Sequence, residues 1–371
     1  MALFVGVISG TSVDGIDTAL LDIEANQTPR LIAAKTFDYP DTIKSAIHQL
    51  IKQPQCSLQM LGELDMALGS VYAEAILNLL LPTNYQPEDI AATGCHGQTI
   101  YHAPYAARPF SMQIGNANLI AELTGITTVS DMRQRDMVCG GQGAPMVPGF
   151  HEVMFRDATE NRVIVNIGGI ANITVLPADK NQPILGFDTG PGNTLMDAWI
   201  DHQLDKAYDA NGNWADTGNS QNELLQQLLA EAYFSQPIPK SSGRELFHLE
   251  WLKQHLAQCS MSYAAEDIQA TLLSLTCQTI SDAIRQYAPD CQRVIICGGG
   301  AHNNILLQTL RNNLQPIAVD ITSDHTVNVD FVEAAAFAWL ASRTLNRQTG
   351  SIPSVTGAQR ASILGGVYWS K

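Results

Sequence analysis

The chain has 371 residues, of which 45% are hydrophobic and 15% are charged, and its formal net charge is −15. This composition excludes a disordered or fibrous protein, and the excess of acidic residues argues against nucleic-acid binding because no basic face can be spared for a phosphate backbone. The length exceeds what one hydrophobic core usually supports, so we expect two domains.

The cysteines and the apolar segments indicate the compartment. Seven cysteines are scattered without a C-x-x-C pair or a matched spacing, which is typical of reduced thiols in a cytoplasmic protein. The apolar stretches are shorter than the roughly 18 residues that a membrane span requires. We therefore expect a cytoplasmic enzyme with small-molecule partners, no membrane contact and no nucleic acid, and a homodimer stays open.

The chain begins with two apolar segments, residues 4–9 and 16–23, which are separated by small residues at 10–15. A turn with two glycines and two hydroxyl side chains exposes backbone N–H groups that can bind an anion. Asp14 and Asp17 flank this turn, and their carboxylates would repel a bare phosphate unless a divalent cation bridged the two. The pattern predicts a metal–nucleotide phosphate loop, with an ordinary hairpin turn as the alternative.

The same strand–turn–strand pattern recurs at residues 162–176, about 160 residues further along the chain. Each hairpin is followed by a segment that runs into a glycine-rich corner, at residues 90–99 in the first half and 184–194 in the second. Repetition at this distance is too long for a solenoid and predicts two related domains. Two lobes facing across a cleft would suit phosphoryl transfer, because a closing cleft excludes water.

Three amphipathic segments predict helices at residues 61–81, 267–287 and 329–345, and the first two end before prolines. With the short strands between them, they make this an α/β protein. The expected lobes are residues 1–128 plus about 328–371, and residues 129–327.

Asp188 has a sequence context typical of a catalytic carboxylate. It follows a predicted strand at 184–187 and precedes a Gly-Pro-Gly turn and a predicted helix at 194–202. The positive end of that helix dipole favours an anion at the corner. A carboxylate fixed beside a phosphate site can take a proton from a nucleophile. The alternative is that Asp188 only caps the turn.

A third glycine corner, residues 298–300, follows a predicted strand at 293–297. Consecutive glycines let a planar ring approach the backbone without obstruction by Cβ atoms. The chain lacks the P-loop pattern, which argues against that fold. Residues 190–192 form Gly-Pro-Gly but the third glycine of the dinucleotide fingerprint is missing, so a dinucleotide enzyme stays only an alternative.

Six segments in order along the chain resemble the signature motifs of the anhydro-N-acetylmuramic acid kinase family, at residues 9–17, 95–99, 140–145, 166–169, 187–193 and 297–300. The resemblance implies membership of the actin, hexokinase and sugar-kinase superfamily, with two ribonuclease H-like lobes related by duplication and an active site in the interlobe cleft. It also implies ATP-dependent phosphorylation of O6 of 1,6-anhydro-N-acetylmuramate, coupled to hydrolytic opening of the anhydro bridge, in peptidoglycan recycling and amino sugar catabolism.

By this resemblance, Asp188 is the general base that activates water for attack at the anomeric carbon, while the departing O6 accepts the γ-phosphoryl group. Mg²⁺ is expected through the phosphates at Asp14 and Asp17. The residues expected to contact ATP are Gly10, Thr11, Ser12, Val13, Asp14, Gly15, Ile16, Asp17, Gly168, Gly169, Gly190, Gly192, Asn193, Gly298, Gly299, Gly300 and Asn303.

On the sugar side, His96 and Gln98 are expected to bind hydroxyl groups. Arg133 can pair with the lactyl carboxylate, for which its planar fork is well suited, and the nearby Arg135 stays an alternative. Glu333 matches a family glutamate that faces the sugar, although a solvated glutamate at a helix start is the alternative. Two other classes of function stay open: an effector-binding protein without catalysis, and an anhydro-sugar hydrolase that needs no nucleotide.

Overall fold

The chain divides into two units, which a computed structural model describes over residues 2–10, 12–25, 27–243 and 246–370. Unit 1 contains the residues up to 154 together with those from 331 onward, and unit 2 contains residues 155–330. Each unit has its own mixed sheet and its own hydrophobic core.

Unit 1 is built on a seven-stranded sheet. Its strands are β1 (Leu3–Ser9), β2 (Ile16–Asp22), β3 (Arg30–Phe37), β4 (Ile90–Ala103), β5 (Phe110–Ile114), β6 (Thr128–Ser130) and β12 (Gly366–Tyr368). Its helices are α1 (Asp41–Lys52), α2 (Leu58–Leu80), α3 (Ala117–Thr124), α4 (Met132–Val138), α5 (Pro148–Phe155, which ends at the unit boundary), α11 (Val332–Leu345) and α12 (Pro353–Thr356).

Unit 2 is built on a five-stranded sheet. Its strands are β7 (Arg162–Ile167), β8 (Ile170–Leu176), β9 (Leu185–Pro191), β10 (Arg293–Cys297) and β11 (Ala318–Ile321). Its helices are α6 (Thr194–Leu204), α7 (Asn222–Leu229), α8 (Leu249–Leu256), α9 (Ala265–Tyr287) and α10 (Asn304–Asn313). No helix in the described part of the chain is long and apolar enough to span a bilayer.

The two sheets share one strand order. Unit 1 runs β3-β2-β1-β4-β6, extended by β12, and unit 2 runs β9-β8-β7-β10-β11. In both, the first three strands pair antiparallel and the last two continue parallel to the first. This common order is that of a duplicated ribonuclease H-like domain, and it confirms the α/β fold expected from the repeated hairpins.

The repeat does not align in the way the sequence suggested. The predicted equivalence between the corners at residues 90–99 and 184–194 is wrong, because β4 lies beside β1 whereas β9 is the edge strand of its sheet. By strand order, β4 corresponds to β10 and β9 corresponds to β3. The first corner is moreover part of one continuous strand, since β4 runs through it to Ala103.

Unit 1 extends further along the chain than the expected lobe boundary at residue 128. The strand β6 pairs parallel with β4 and antiparallel with β12, so it is an interior strand of the first sheet. The following segment is also tied to unit 1, because the Gln142 N–H donates to the Thr356 carbonyl at 2.8 Å. Unit 2 therefore begins at Phe155 and not at residue 129.

Several element bounds differ from the sequence expectation for local reasons. The helix expected from residue 61 begins at Leu58, because the Ser57 hydroxyl accepts from the Met60 N–H at 3.1 Å and caps it. The turn expected over residues 167–172 consists only of Gly168 and Gly169, because the pairing of β7 with β8 continues up to these two residues. The helix expected from residue 329 begins at Val332.

Helix α11 packs against the centre of the first sheet. A Cβ atom at Gly6 of β1 would overlap the Ala334 carbonyl, and one at Gly94 of β4 would overlap the Phe337 carbonyl. The absence of side chains at these two glycines lets the helix backbone approach the strands closely. This contact fixes the first turn of α11, and with it Glu333, relative to the end of β1.

Candidate active site

The turn that joins β1 to β2 holds a strained backbone. Val13 is buried and has a φ of 59°, in the left-handed region that a β-branched residue rarely adopts. Its N–H donates to the Gly10 carbonyl at 3.2 Å and closes the turn. Strain of this kind costs about 1–3 kcal/mol and concentrates at ligand-binding segments. The geometry fits a phosphate loop, although Thr11, one of its expected ATP contacts, lies outside the described residues.

The carboxylates of this loop suit a magnesium ion. Asp14 is exposed, and Asp17 on β2 accepts a hydrogen bond from the Thr36 hydroxyl at 2.6 Å. Mg²⁺ is usually held by one or two carboxylates together with substrate phosphates, and this pair matches that donor set. No cluster of three or more His, Cys, Asp or Glu residues able to hold a metal unaided occurs among the described residues. Ile16 is buried, so we expect the loop to contact ATP through its main chain.

His96 and Arg133 form a buried pair in unit 1. The Arg133 Nε donates to His96 Nε2 at 2.9 Å, so the proton of the imidazole lies on Nδ1, which donates to the Gly97 carbonyl at 2.8 Å. Burial, followed by the charge of Arg133, holds the pKa of His96 well below its usual value. The histidine is therefore neutral, and both of its ring nitrogens are used within the protein. The expectation that His96 binds a sugar hydroxyl is wrong for this geometry, in which it orients Arg133 instead.

A buried carboxylate that the sequence did not reveal supports Arg133 from the other side. The Arg133 Nη1 donates to the Gly143 carbonyl at 2.7 Å, and the Gly143 N–H donates to Asp136 Oδ2 at 2.9 Å. The second oxygen of Asp136, a fully buried residue, accepts from the Thr356 hydroxyl at 2.8 Å. The glycine-rich segment 140–145 was a signal for this contact, because its backbone wraps the carboxylate. Arg135 on the same helix is exposed, so the structure favours Arg133 as the functional arginine.

Gln98 contacts the phosphate loop, and Glu333 is close enough to Arg133 and Asp17 for their charges to act on it. Gln98 is fully buried, and its Nε2 donates to the carbonyls of Gly10 at 3.3 Å and of Thr99 at 3.2 Å. Its side chain thus anchors the phosphate loop, which the sequence did not predict. Burial raises the pKa of Glu333, and the charge of Arg133 opposes this rise while that of Asp17 adds to it. Glu333 is half-buried, which counts against the solvated helix-start residue of the alternative hypothesis.

Asp188 lies within the edge strand β9, beside a β-bulge. Ala171 pairs with Gly190 and Asn172 pairs with Asp188, so Thr189 is the extra residue on β9. Bulges re-aim side chains and are frequent next to active sites. The Ser242 N–H donates to Asp188 Oδ2 at 2.9 Å and orients the carboxylate.

Backbone bonds hold the turn that follows Asp188, which counts against the alternative hypothesis that this residue only caps the turn. The N–H groups of Gly192 and Asn193 donate to the carbonyls of Gly169 at 2.9 Å and Gly168 at 2.8 Å. The turn is thus satisfied by the β7–β8 hairpin. A Cβ atom at Gly192 would overlap the Gly168 carbonyl, so this contact requires glycine.

The same contacts use part of the donor set that was expected to bind an anion at the start of α6. Asn193 and Thr194 both use their N–H groups on the hairpin carbonyls, the latter at 3.1 Å to Gly169. These donors are consequently not available to a phosphate. On the hairpin side, these bonds use the carbonyls of Gly168 and Gly169. The donors that the turn between β7 and β8 can offer to a ligand are therefore its N–H groups.

The third glycine corner packs onto the end of β7. Gly298 has a φ of 82°, and a Cβ atom there would overlap the Asn166 side chain. A Cβ atom at Gly299 would lie 3.9 Å from the Asn193 amide nitrogen, so the second and third corners of unit 2 are neighbours. A Cβ atom at Gly300 would overlap the side chain of Ile167.

Two expected ATP contacts have structural roles instead. A Cβ atom at Gly190 would lie 2.7 Å from the Phe234 ring, so this glycine is covered by protein. Asn303 is buried and caps α10, with its Oδ1 accepting from the Leu306 N–H at 3.0 Å.

The amino-acid sequence matches a known protein family. The sequence profile described as anhydro-N-acetylmuramic acid kinase matches residues 2–370. The anhydro-N-acetylmuramic acid kinase of Pasteurella multocida is 48% identical over 367 residues, covering 98% of this chain and 96% of the relative. The relative of the same name from Saccharophagus degradans is 47% identical over 371 residues and covers 99% of both chains. That of Coxiella burnetii is 46% identical over 368 residues, covering 99% and 98%. The chain therefore belongs to the anhydro-N-acetylmuramic acid kinase family.

Proposed function

We propose that this chain uses ATP to phosphorylate O6 of 1,6-anhydro-N-acetylmuramate while water opens the anhydro bridge. The products are N-acetylmuramate 6-phosphate and ADP, and the role is peptidoglycan recycling. Family membership supports the reaction. The observation that carries our assignment of the residues is Asp188, a carboxylate on a β-bulge that is oriented by the Ser242 N–H.

Asp188 acts as the general base. It takes a proton from the water molecule whose oxygen attacks C1 of the sugar, as the C1–O6 bond breaks. The departing O6 takes the γ-phosphoryl group, so no proton has to be delivered to the leaving oxygen. One water and one ATP are consumed for each ring that opens.

The first unit binds the phosphates and the charged group of the sugar. The main chain of residues 10–17 holds the ATP phosphates, and Asp14 and Asp17 hold Mg²⁺, which neutralises phosphate charge when bound. Arg133 pairs with the lactyl carboxylate, because His96 and Gly143 fix its guanidinium. Glu333 accepts hydrogen bonds from sugar hydroxyls.

The glycines of unit 2 are further nucleotide contacts in this proposal. The N–H groups of Gly168 and Gly169 bind phosphate oxygens, since the carbonyls of that turn are used internally. The bare backbone at Gly298 and Gly299 accepts a planar ring. We also propose a cytoplasmic location, because all seven cysteines are free thiols.

The test is a mass analysis of product made in ¹⁸O-labelled water with ATP, Mg²⁺ and the anhydro sugar. We expect one labelled oxygen at C1, one phosphate on O6 and one ADP per opened ring. The Asp188→Asn variant should bind both ligands and lose turnover by roughly 10²–10⁴. Ring opening without ATP, or unphosphorylated N-acetylmuramate as an early product, would favour the nucleotide-independent hydrolase and refute the proposal.

A further inference from the structure

We propose that Lys240 is a positioning residue for Asp188, acting by tying a covering segment, residues 233–242, onto the edge of strand β9. The inference rests on the proposed function, since it concerns the carboxylate that serves as general base. Neither the sequence pattern nor family membership assigns this lysine a role.

The covering segment holds Asp188 at three separate atoms. The Asp188 N–H donates to the Lys240 carbonyl at 3.1 Å, and the Tyr233 hydroxyl donates to the Asp188 carbonyl at 2.7 Å. The Ser242 N–H donates to the carboxylate oxygen Oδ2 at 2.9 Å. An edge strand normally presents such backbone groups to solvent, so the segment takes the place of a neighbouring strand at this residue.

The Lys240 side chain is what joins the two ends of the covering segment. Its ammonium donates to the carbonyls of Tyr233 at 3.1 Å and Phe234 at 3.0 Å, and it lies 4.7 Å from the centre of the Tyr233 ring. The residue is only 7% exposed. A lysine is rarely buried to this degree without a carboxylate partner, and both of its described hydrogen-bond acceptors are neutral carbonyls. Burial accordingly lowers the pKa of Lys240.

Loss of the lysine would affect the reaction by changing the position and orientation of the Asp188 carboxylate. Without the ammonium, the covering segment loses the bonds from residue 240 to the carbonyls of Tyr233 and Phe234. The backbone that carries Ser242 is then held less firmly, and the Ser242 N–H can move away from Oδ2. The carboxylate would then sample orientations that do not face the water. Misplacement of a catalytic group by about 1 Å can cost roughly 10²-fold in rate.

The main experiment compares steady-state kinetics of Lys240→Met with those of Lys253→Met, a partly exposed lysine of the same unit paired with Glu250. We expect Lys240→Met to lower kcat roughly 10–100-fold with KM for ATP and sugar nearly unchanged, because an interaction used only in the transition state affects kcat. The Lys253→Met control should leave both constants at their wild-type values.

A double-mutant cycle separates positioning from a general loss of structure. If Lys240 acts through Asp188, adding Lys240→Met to Asp188→Asn should not reduce the residual activity further. An equal loss in both backgrounds, or a folded Lys240→Met enzyme with wild-type kcat, would overturn the inference. Should Lys240→Met fold poorly, Tyr233→Phe removes the hydroxyl that donates to the Asp188 carbonyl, and an unchanged kcat in that variant would equally overturn the inference.

The proposed function fails in a distinguishable way. A fully active Asp188→Asn enzyme would remove the base assignment whatever the lysine variants do. An inactive Asp188→Asn enzyme together with an unaffected Lys240→Met enzyme would leave the proposed function in place and refute the positioning role alone.

Discussion

Replacement of Arg133 by alanine should show how much the lactyl carboxylate contributes to kcat/KM. The guanidinium has five N–H groups, and its bonds to His96 and Gly143 use one on Nε and one on Nη1. Donors on Nη1 and Nη2 are thus left for a bidentate contact with a carboxylate. A hydrogen bond to a charged group contributes about 1.5–3 kcal/mol, so two such bonds amount to about 3–6 kcal/mol. At about 1.4 kcal/mol for each factor of ten, kcat/KM should fall roughly 10²–10⁴-fold.

The assay is ADP release with two substrates, the anhydro-muramate and an analogue that lacks the lactyl group. Alanine at position 133 also leaves His96 Nε2 and the Gly143 carbonyl without their donor, and this structural cost affects both substrates alike. The ratio of the two losses therefore reports on the carboxylate contact alone. The matched control is Arg135→Ala, which removes an exposed arginine from the same helix and should alter neither substrate. Equal losses on both substrates in Arg133→Ala would refute the carboxylate assignment, and a selective loss in Arg135→Ala would transfer it.

Two further predictions concern stability. Burial lowers the pKa of His151 to about 3, so the folded state keeps this histidine neutral while the unfolded state binds a proton below about pH 6.5. Stability is lost as pH falls, and between about pH 7 and 5 His151 should account for about 2 kcal/mol of the decrease in unfolding free energy. Denaturant titrations at both pH values should show that the unfolding free energy of wild type decreases more than that of His151→Leu. An identical pH dependence in the two proteins would contradict the prediction. Gly192→Ala, which forces a Cβ atom onto the Gly168 carbonyl, should cost about 1–3 kcal/mol and raise KM for ATP. The control is Gly10→Ala, whose Cβ would meet only Ser12 Oγ at 3.6 Å, and its unfolding free energy should change by about 0.5 kcal/mol or less. Equal destabilisation of the two variants in denaturant titrations would count against the steric argument.

The parts of the fold that sequence predicted are those whose signal is local. The hairpin β1–β2 follows from two apolar runs and a turn of small residues. Strand β10 has the expected bounds because four apolar residues follow Arg293 and the run ends in glycine. Helix α9 was recognised from its period and from the proline that follows it. In each case the residues that determine the element are neighbours in the chain, so their pattern is visible without knowledge of the tertiary structure.

The parts that sequence did not predict depend on partners that are distant in the chain. The bulge at Thr189 arises from the pairing of β9 with β8, and nothing in residues 184–194 alone requires an extra residue there. Asp136 gives no sign of burial in its own sequence, since its partner Thr356 is far away in the chain. In the sequence, Lys240 likewise looks like an ordinary surface lysine. Only the structure shows that its ammonium donates to the carbonyls of Tyr233 and Phe234.

Duplication places equivalent strand positions in both units, and the residues that follow these positions differ. Cys95 of β4 pairs with Val7, and Cys297 of β10 pairs with Asn166; each partner is the fifth residue of the first strand of its sheet. A glycine with positive φ follows each cysteine within two residues, with φ of 76° at Gly97 and 82° at Gly298. In unit 1 the residue between cysteine and glycine is His96, whose ring orients Arg133. In unit 2 no side chain intervenes, and the chain continues as bare backbone. The same strand position thus leads to a histidine that orients Arg133 in unit 1 and to bare backbone in unit 2. These are the features that our proposed contacts with a carboxylate-bearing sugar and with a nucleotide base respectively require.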